Sequence, residues 1–153
     1  MRKFNSLVEV LDFAIDRESE THLFYVRLAD MVNKPELVKV IKDLATEEVE
    51  HRIKLEAVKA GEVTIGEEDI GALDIADYVP DVEPNPNMSY VDLLVVAMKK
   101  EKFSCKLYTD LAAIAQRQDL RDIFLKLAQE EAGHKLRFEF EYDLETFGGK
   151  RDE

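Results

Sequence analysis

Cysteine is almost absent from this sequence: Cys105 is the only one in 153 residues. A single cysteine cannot form a disulfide within the chain, a Cys-x-x-Cys zinc site or an iron–sulfur site. Any metal held by the chain would therefore need oxygen and nitrogen ligands. Glycine and proline are also sparse, and most of them fall between Gly61 and Met88. Long helices are expected on both sides of that segment.

Basic residues are few relative to acidic ones, 21 against 33, which gives a formal net charge of −12. This charge repels nucleic acids and anionic membranes, so neither is expected as a partner. No apolar run reaches the roughly 18–20 residues of a membrane helix, and Met1-Arg2-Lys3 is not followed by an apolar signal core. We expect a cytoplasmic protein, and 153 residues suit a single domain spanning 1–153.

The sequence contains an internal repeat with a constant offset of 83 residues. Residues 6–56 align with residues 89–139 without a gap, and 15 of the 51 pairs are identical. The identical pairs include residue types that bind metals: Glu18 and Glu101, Glu48 and Glu131, His51 and His134. An internal duplication is the simplest explanation.

Four long segments carry an apolar stripe, in which the residues are spaced alternately three and four apart, as in amphipathic helices. Ser6 and Ser89 each precede an acid by three residues, which predicts a helix start with a capping box. Short breaks at residues 33–35 and 116–119 predict two antiparallel hairpins, about 5–60 and 89–147, with the last helix ending at Gly148-Gly149.

The segment at about 61–88 is too rich in glycine and proline for a long helix and too long for a tight turn. It is long enough to run the length of the bundle, with a short helical turn possible within residues 66–78. The sequence thus predicts an all-α, ferritin-like four-helix bundle made of two duplicated hairpins joined by a long crossover.

All four predicted helices carry a glutamate on the apolar stripe, and two carry a histidine three residues later. Four buried carboxylates would repel one another and be destabilised by burial. Two divalent cations would neutralise their four charges, and neutral imidazoles would add nitrogen ligands. The predicted metal ligands are Glu18, Glu48, His51, Glu101, Glu131 and His134. The alternative is a duplicated bundle whose ancestral site has decayed.

Tyr25 and Tyr108 follow the first glutamate of each copy by seven residues, or two helical turns. They are interpreted as donors that orient carboxylate ligands, the alternative being core aromatics. His22 lies off the stripe and is interpreted as an edge residue. Glu47, Glu50 and Glu130 are interpreted as part of the solvated face.

Several apolar residues lie off the stripe: Val10, Phe13, Phe24, Val95, Val96 and Phe103. Their number is larger than the solvent-exposed face of a monomer normally carries. They could cover the crossover, or form a homodimer interface on the first and third helices.

At Glu18, Glu48-x-x-His51, Glu101 and Glu131-x-x-His134 the chain resembles the rubrerythrin branch of the ferritin-like superfamily. The resemblance covers nearly the whole chain. It implies a di-iron centre in which Glu48 and Glu131 bridge, Glu18 and Glu101 are terminal, and each metal has one histidine. It also implies an oxidoreductase that reacts with hydrogen peroxide or dioxygen. Manganese or a mixed-metal centre is compatible with the same ligands.

Two departures from rubrerythrins proper are visible. Ser104 and His134 stand where those proteins have glutamates, so this ligand set is the more symmetric one. One cysteine is also too few for a rubredoxin module. Electrons are expected from an external donor, rubredoxin-like or a flavoprotein, or from the iron itself. The alternative function is iron binding or storage without turnover of an external substrate.

Overall fold

A computed structural model of the chain describes residues 3–61, 73–80 and 82–151, with side chains up to Phe147. It contains four α-helices within these residues: α1 (Leu7–Ala29), α2 (Pro35–Ala60), α3 (Tyr90–Ile114) and α4 (Gln118–Arg151). Helix α1 packs along α2, and α3 packs along α4. The predicted fold class, a ferritin-like four-helix bundle of two hairpins, is confirmed.

The helix starts show the predicted serine caps. The Ser89 hydroxyl accepts a hydrogen bond from the Asp92 backbone N–H, and the Asp92 carboxylate accepts one from the Ser89 N–H, which completes a capping box. Ser6 caps α1 in the same way through the Glu9 N–H, at 3.1 Å. The Glu9 carboxylate instead accepts a hydrogen bond from the Asn5 side chain, so the first box is only half formed.

The predicted end of the last helix at Gly148-Gly149 is wrong, because α4 continues to Arg151. A glycine inside a helix costs only about 1 kcal/mol relative to alanine. It ends a helix where the backbone turns into the left-handed region, and here both glycines keep the helical conformation. Lys150 and Arg151, which follow them, continue the helix.

The apolar core is divided into two clusters. One is built around Leu11, Leu55, Leu111 and Phe124, and the other around Leu28, Ile41, Leu94 and Phe138. Between them lies a layer of buried polar side chains. This layer contains the six predicted ligands and Thr21.

The described part of the crossover is fastened to α3 and to the start of the chain. Its 3-10 helix, Ile75–Tyr78, confirms the short turn expected in this region. The Tyr78 hydroxyl donates a hydrogen bond of 2.8 Å to Asp110 on α3. Lys3 and Asp74 form an antiparallel β-bridge. Residues 62–72 of the predicted crossover lie outside the described residues.

The apolar residues off the stripe are largely covered by the bundle and the crossover. Val10, Phe24 and Val96 are buried, while Phe13 and Phe103 line a small cavity together with residues 78 and 80 of the crossover. Packing within the bundle and against the crossover therefore accounts for these five residues, and the homodimer stays a prediction. Among the described residues, no helix has both the length and the apolar character needed to span a membrane.

Candidate metal centre

All six predicted ligand side chains meet in the polar layer at the centre of the bundle. Each occupies a stripe position, so helical geometry turns it inward, and none of the six residues as a whole is more than 4% exposed. Each hairpin contributes two glutamates and one histidine: Glu18, Glu48 and His51 from the first, and Glu101, Glu131 and His134 from the second.

The two histidines point the same ring nitrogen at the carboxylates. His51 Nδ1 lies 2.9 Å from Glu131, 3.6 Å from Glu18 and 3.9 Å from Glu48. The two imidazole rings are stacked, with centroids 5.9 Å apart and planes 8° from parallel. Their similar orientation follows from the repeat in the sequence.

His134 repeats this arrangement with the partners exchanged between the hairpins. Its Nδ1 lies 3.0 Å from Glu48, 3.3 Å from Glu101 and 3.7 Å from Glu131. Glu48 and Glu131 are thus close to both imidazoles. Glu18 and Glu101 are each close to one.

Two overlapping groups of donor atoms result. One consists of Glu18, Glu48, His51 and Glu131, and the other of Glu48, Glu101, Glu131 and His134. Within each group, one ligand atom per residue lies within 4.8 Å of the others. Because Glu48 and Glu131 belong to both groups, they stand where bridging carboxylates of a two-metal centre would be.

Within the described part of the chain, the cluster leaves buried polar atoms without hydrogen-bond partners. They include one oxygen each of Glu18, Glu48 and Glu101, both oxygens of Glu131, and both ring nitrogens of His51. Such atoms are costly in a protein interior unless something compensates them. Oxygen and imidazole donors converging on one place are a ligand set that iron or manganese accepts, so these residues fit a pair of divalent cations.

Protons and metal ions compete for this cluster. Burial favours the neutral imidazole, but the nearby carboxylates of Glu131 and Glu18 favour the charged ring, outweigh burial and raise the pKa of His51 to about 11. Glu101 has the larger part in raising the pKa of His134, against burial, to about 9. Burial and repulsion between carboxylates raise the pKa of Glu48 and of Glu131 well above the usual range. Metal binding must displace these protons.

The two predicted orienting tyrosines cross between the hairpins. The Tyr25 hydroxyl donates to Glu101, and the Tyr108 hydroxyl donates to Glu18. Each tyrosine thus donates its hydrogen bond to the glutamate of the opposite repeat, and not to the glutamate two turns before it on its own helix. Both are completely buried. Each hydrogen bond occupies one oxygen of its glutamate and leaves the other facing the cluster.

The sequence profile of the rubrerythrin family matches residues 9–78 and 92–146, which is most of the chain. The chain belongs to the rubrerythrin family. A solved structure described as a hypothetical protein from Pyrococcus furiosus superposes with a TM-score of 0.74 at 26% identity, covering 91% of this chain and 89% of the other. No curated protein matches the sequence.

This rubrerythrin-family chain has no carboxylate at the position of Ser104. Ser104 is half-buried and lines the small cavity beside Thr21, Tyr78 and Tyr108. In the described residues, the two donor groups therefore have the same composition, three glutamates and one histidine each. The symmetry expected from Ser104 and His134 is present in the geometry.

Two glutamates that the sequence analysis assigned to the solvated face contact the histidines. Glu47 Oε1 lies 3.3 Å from His134 Nε2, and Glu130 Oε1 lies 3.6 Å from His51 Nε2. A signal for them was present, since Glu47 and Glu130 are identical at the same offset of 83 residues. His22, interpreted as an edge residue, lies with Nδ1 2.9 Å from the Ala45 carbonyl oxygen and joins α1 to α2.

An open cleft lies beside the centre. It has a volume of about 380 Å³, lies between α2 and α4 and is lined by acidic, basic and apolar residues around His51. Because His51 also belongs to the donor cluster, this cleft reaches the outer edge of the site, on the side of Glu130. Glu50, Lys54, Asp122 and Glu130 form its polar walls.

The crossed tyrosines give a test of the site geometry. Tyr25→Phe is expected to lower the free energy of unfolding by about 1.5–3 kcal/mol, as for a buried hydrogen bond to a charged group. Double-mutant cycles measured by urea unfolding should show coupling of Tyr25→Phe with Glu101→Gln. Stronger coupling with Glu18→Gln would contradict the crossing. Tyr78→Phe, which removes a half-buried hydrogen bond to Asp110, is the matched control.

Proposed function

We propose that this protein is a non-haem di-iron oxidoreductase that reduces hydrogen peroxide or dioxygen. The observation that carries the proposal is the pair of donor groups that share Glu48 and Glu131. The total positive charge of two divalent cations equals the total negative charge of the four carboxylates. The neutral imidazoles supply nitrogen ligands without changing this balance. A bound pair of ferrous ions would supply two electrons, which with two protons convert hydrogen peroxide to two molecules of water.

The roles of the chain's own residues follow from their contacts. Glu48 and Glu131 would hold both metals, Glu18 and Glu101 one each, and His51 and His134 would provide one nitrogen each. The hydrogen bonds from Tyr108 and Tyr25 keep Glu18 and Glu101 turned toward the centre. The two apolar clusters above and below exclude water from the other sides.

The cleft beside His51 supports a reaction with a small substrate. Peroxide and dioxygen are small enough for a cleft of about 380 Å³. Each donor group supplies four side chains, so a metal held there that takes six ligands would have room for an external molecule. The acceptor of electrons would thus meet the centre from the α2–α4 side.

The experiment is anaerobic loading with Fe(II), followed by addition of peroxide or oxygen. An oxidoreductase is expected to bind about two irons per chain, to develop the absorption of ferric iron and to consume oxidant in proportion to iron. Repeated turnover should then require an external electron donor, a rubredoxin-like protein or a flavoprotein. Elemental analysis of protein from the native host would distinguish iron from manganese.

Assembly size separates this function from iron storage. We propose that the protein is a homodimer with about two irons for each chain. Analytical ultracentrifugation measures the assembly size, and metal analysis measures the iron content. A hollow assembly that holds many more irons than its ligand residues can bind would instead indicate storage. A protein that binds no metal under any of these conditions would refute both functions and indicate a decayed site.

A further inference from the structure

Each ligand histidine has a second ring nitrogen that faces away from the cluster and toward a glutamate. His134 Nε2 and Glu47 Oε1 are within hydrogen-bond geometry at 3.3 Å. His51 Nε2 and Glu130 Oε1 are 3.6 Å apart. Each of these outer glutamates directly precedes a shared glutamate in the sequence, and each comes from the opposite hairpin.

The outer glutamates differ from the inner ones in their exposure. The side chains of Glu47 and Glu130 are 38% and 35% exposed, whereas those of the two histidines are 5% and 4% exposed. Water can therefore solvate the outer carboxylates. Water has little access to the imidazole rings, because carboxylates lie beside both ring nitrogens of each histidine.

The placement of the two ring nitrogens determines what each can bind. A neutral imidazole carries one N–H, and the other nitrogen has the lone pair that binds a metal. A carboxylate at Nε2 accepts the N–H on that side. The lone pair then lies on Nδ1, which in both histidines points at three carboxylates of the cluster.

We propose that Glu47 and Glu130 are positioning residues, which fix His134 and His51 with Nδ1 toward the metals by accepting the Nε2–H. This inference rests on the metal centre of the proposed function. It adds two residues to that centre and gives them a separate task. Each also ties α2 to α4, because the glutamate and its histidine lie on different hairpins.

The two contacts are alike but not equal. His51 Nε2 has no hydrogen-bond partner among the described residues, and its distance to Glu130 exceeds the Glu47 distance by 0.3 Å (3.6 against 3.3). Glu130 lines the α2–α4 cleft, where its side chain has room to move. The Glu130 contact is expected to shorten to a hydrogen bond when a metal fixes the ring of His51.

The test uses Zn²⁺ as a diamagnetic probe, with calorimetry for affinity and ¹⁵N NMR of the histidine rings. Glu47→Ala and Glu130→Ala are each expected to weaken Zn²⁺ binding about 10–100-fold, the usual effect of losing an outer partner of a metal-bound histidine. Glu47→Gln and Glu130→Gln keep an acceptor oxygen and should recover most of the affinity. Glu50→Ala is the control, because it removes the same charge from the cleft that Glu130 lines, one helical turn from Glu47.

The NMR spectra give a readout that a general loss of stability would not produce. In the wild-type zinc protein, both rings should carry the proton on Nε2, and the hydrogen bond to the outer glutamate should slow the exchange of that proton with water. Each alanine variant should speed this exchange and shift the Nε2 resonance at its own histidine only: Glu47→Ala at His134 and Glu130→Ala at His51.

The outcomes separate the inference from the proposed function. Failure of the wild-type protein to bind Zn²⁺, Mn²⁺ or Fe²⁺ would remove the metal centre itself. Normal binding by the wild type, with unchanged affinity and unchanged ring spectra in both alanine variants, would overturn the positioning role alone. An equal loss in Glu50→Ala would also overturn it, since the effect would then be one of charge and not of contact.

Discussion

Glutamine in place of both shared glutamates, Glu48→Gln with Glu131→Gln, is expected to abolish binding of the metal pair. An amide is a neutral and weak metal ligand. The variant would therefore remove the negative charges of the two carboxylates that both donor groups share. The affinity should fall by more than the roughly 10–100-fold that an outer partner contributes. Metal analysis after desalting should find two metals per chain in the wild type and none in the variant, with no ferric absorption after peroxide.

The same variant is expected to be the more stable protein when metal is absent. Burial and mutual repulsion raise the pKa of Glu48 and of Glu131, which means that folding disfavours their charged forms. A raised folded-state pKa gives stability that is complete below the unfolded value and is lost as the pH rises. The advantage of the glutamine variant should therefore be absent near pH 4 and grow toward neutral pH.

A matched control is available within the repeat. Glu56 and Glu139 are also an identical pair at the offset of 83 residues, but Glu56 is exposed and Glu139 half-buried, and they are paired with Arg52 and Lys135. Glu56→Gln with Glu139→Gln should leave the metal content unchanged. It should change the free energy of unfolding by less than about 1 kcal/mol. Retention of two metals by the Glu48 and Glu131 variant would contradict the shared-ligand assignment.

Metal removal is expected to have the second large effect, and its size should depend on pH. Saturation at about 1,000 times the dissociation constant stabilises a protein by about 4 kcal/mol per site. For a chain of this size, each kcal/mol corresponds to about 2–4 °C in Tm. Two occupied sites should raise Tm by more than 10 °C, and addition of a chelator should reverse the change.

The direction of the pH dependence follows from the histidines. In the metal-free protein, the pKa values of His134 and His51 are raised to about 9 and about 11. Their ion pairs therefore stabilise that form fully below about pH 6.5, and this stability is lost as the pH rises through 9 and 11. Metal displaces these protons, so the metal-dependent rise in Tm should be larger at pH 8 than at pH 6.

Calorimetric unfolding with and without Zn²⁺ at the two pH values measures this difference. Titrations in buffers of different ionisation enthalpy should also detect protons released on binding. A metal effect that is the same at pH 6 and pH 8, with no proton release, would show that the histidines do not bind the metal. The glutamine variant at residues 48 and 131 should show neither effect.

Helical periodicity was enough to predict the fold and the convergence of the six side chains. Glu18, Glu48, Glu101 and Glu131 occupy positions that leucine or isoleucine would otherwise fill. Their inward direction followed from the stripe alone. The offset of 83 residues then predicted that two equivalent halves would meet, because both contain the same pattern at the same spacing.

The contacts across the bundle could not be predicted in the same way. Spacing along one helix tells which face a side chain occupies, but not which helix lies opposite. Tyr25 was therefore not assigned to Glu101, and Glu47 was assigned to solvent because it lies about 100° around the helix from Glu48. The end of α4 was missed for a different reason: glycine permits a helix end without requiring one.

The crossed contacts also indicate how the centre could have arisen in evolution. Tyr25 with Glu101, Tyr108 with Glu18, and both histidine–glutamate pairs each join one hairpin to the other. A single hairpin contains half of every pair, and two identical copies of it, related by a two-fold axis, would contain all of them. Gene duplication and fusion would then have converted an older symmetric association of separate chains into one chain, while every ligand kept its partner.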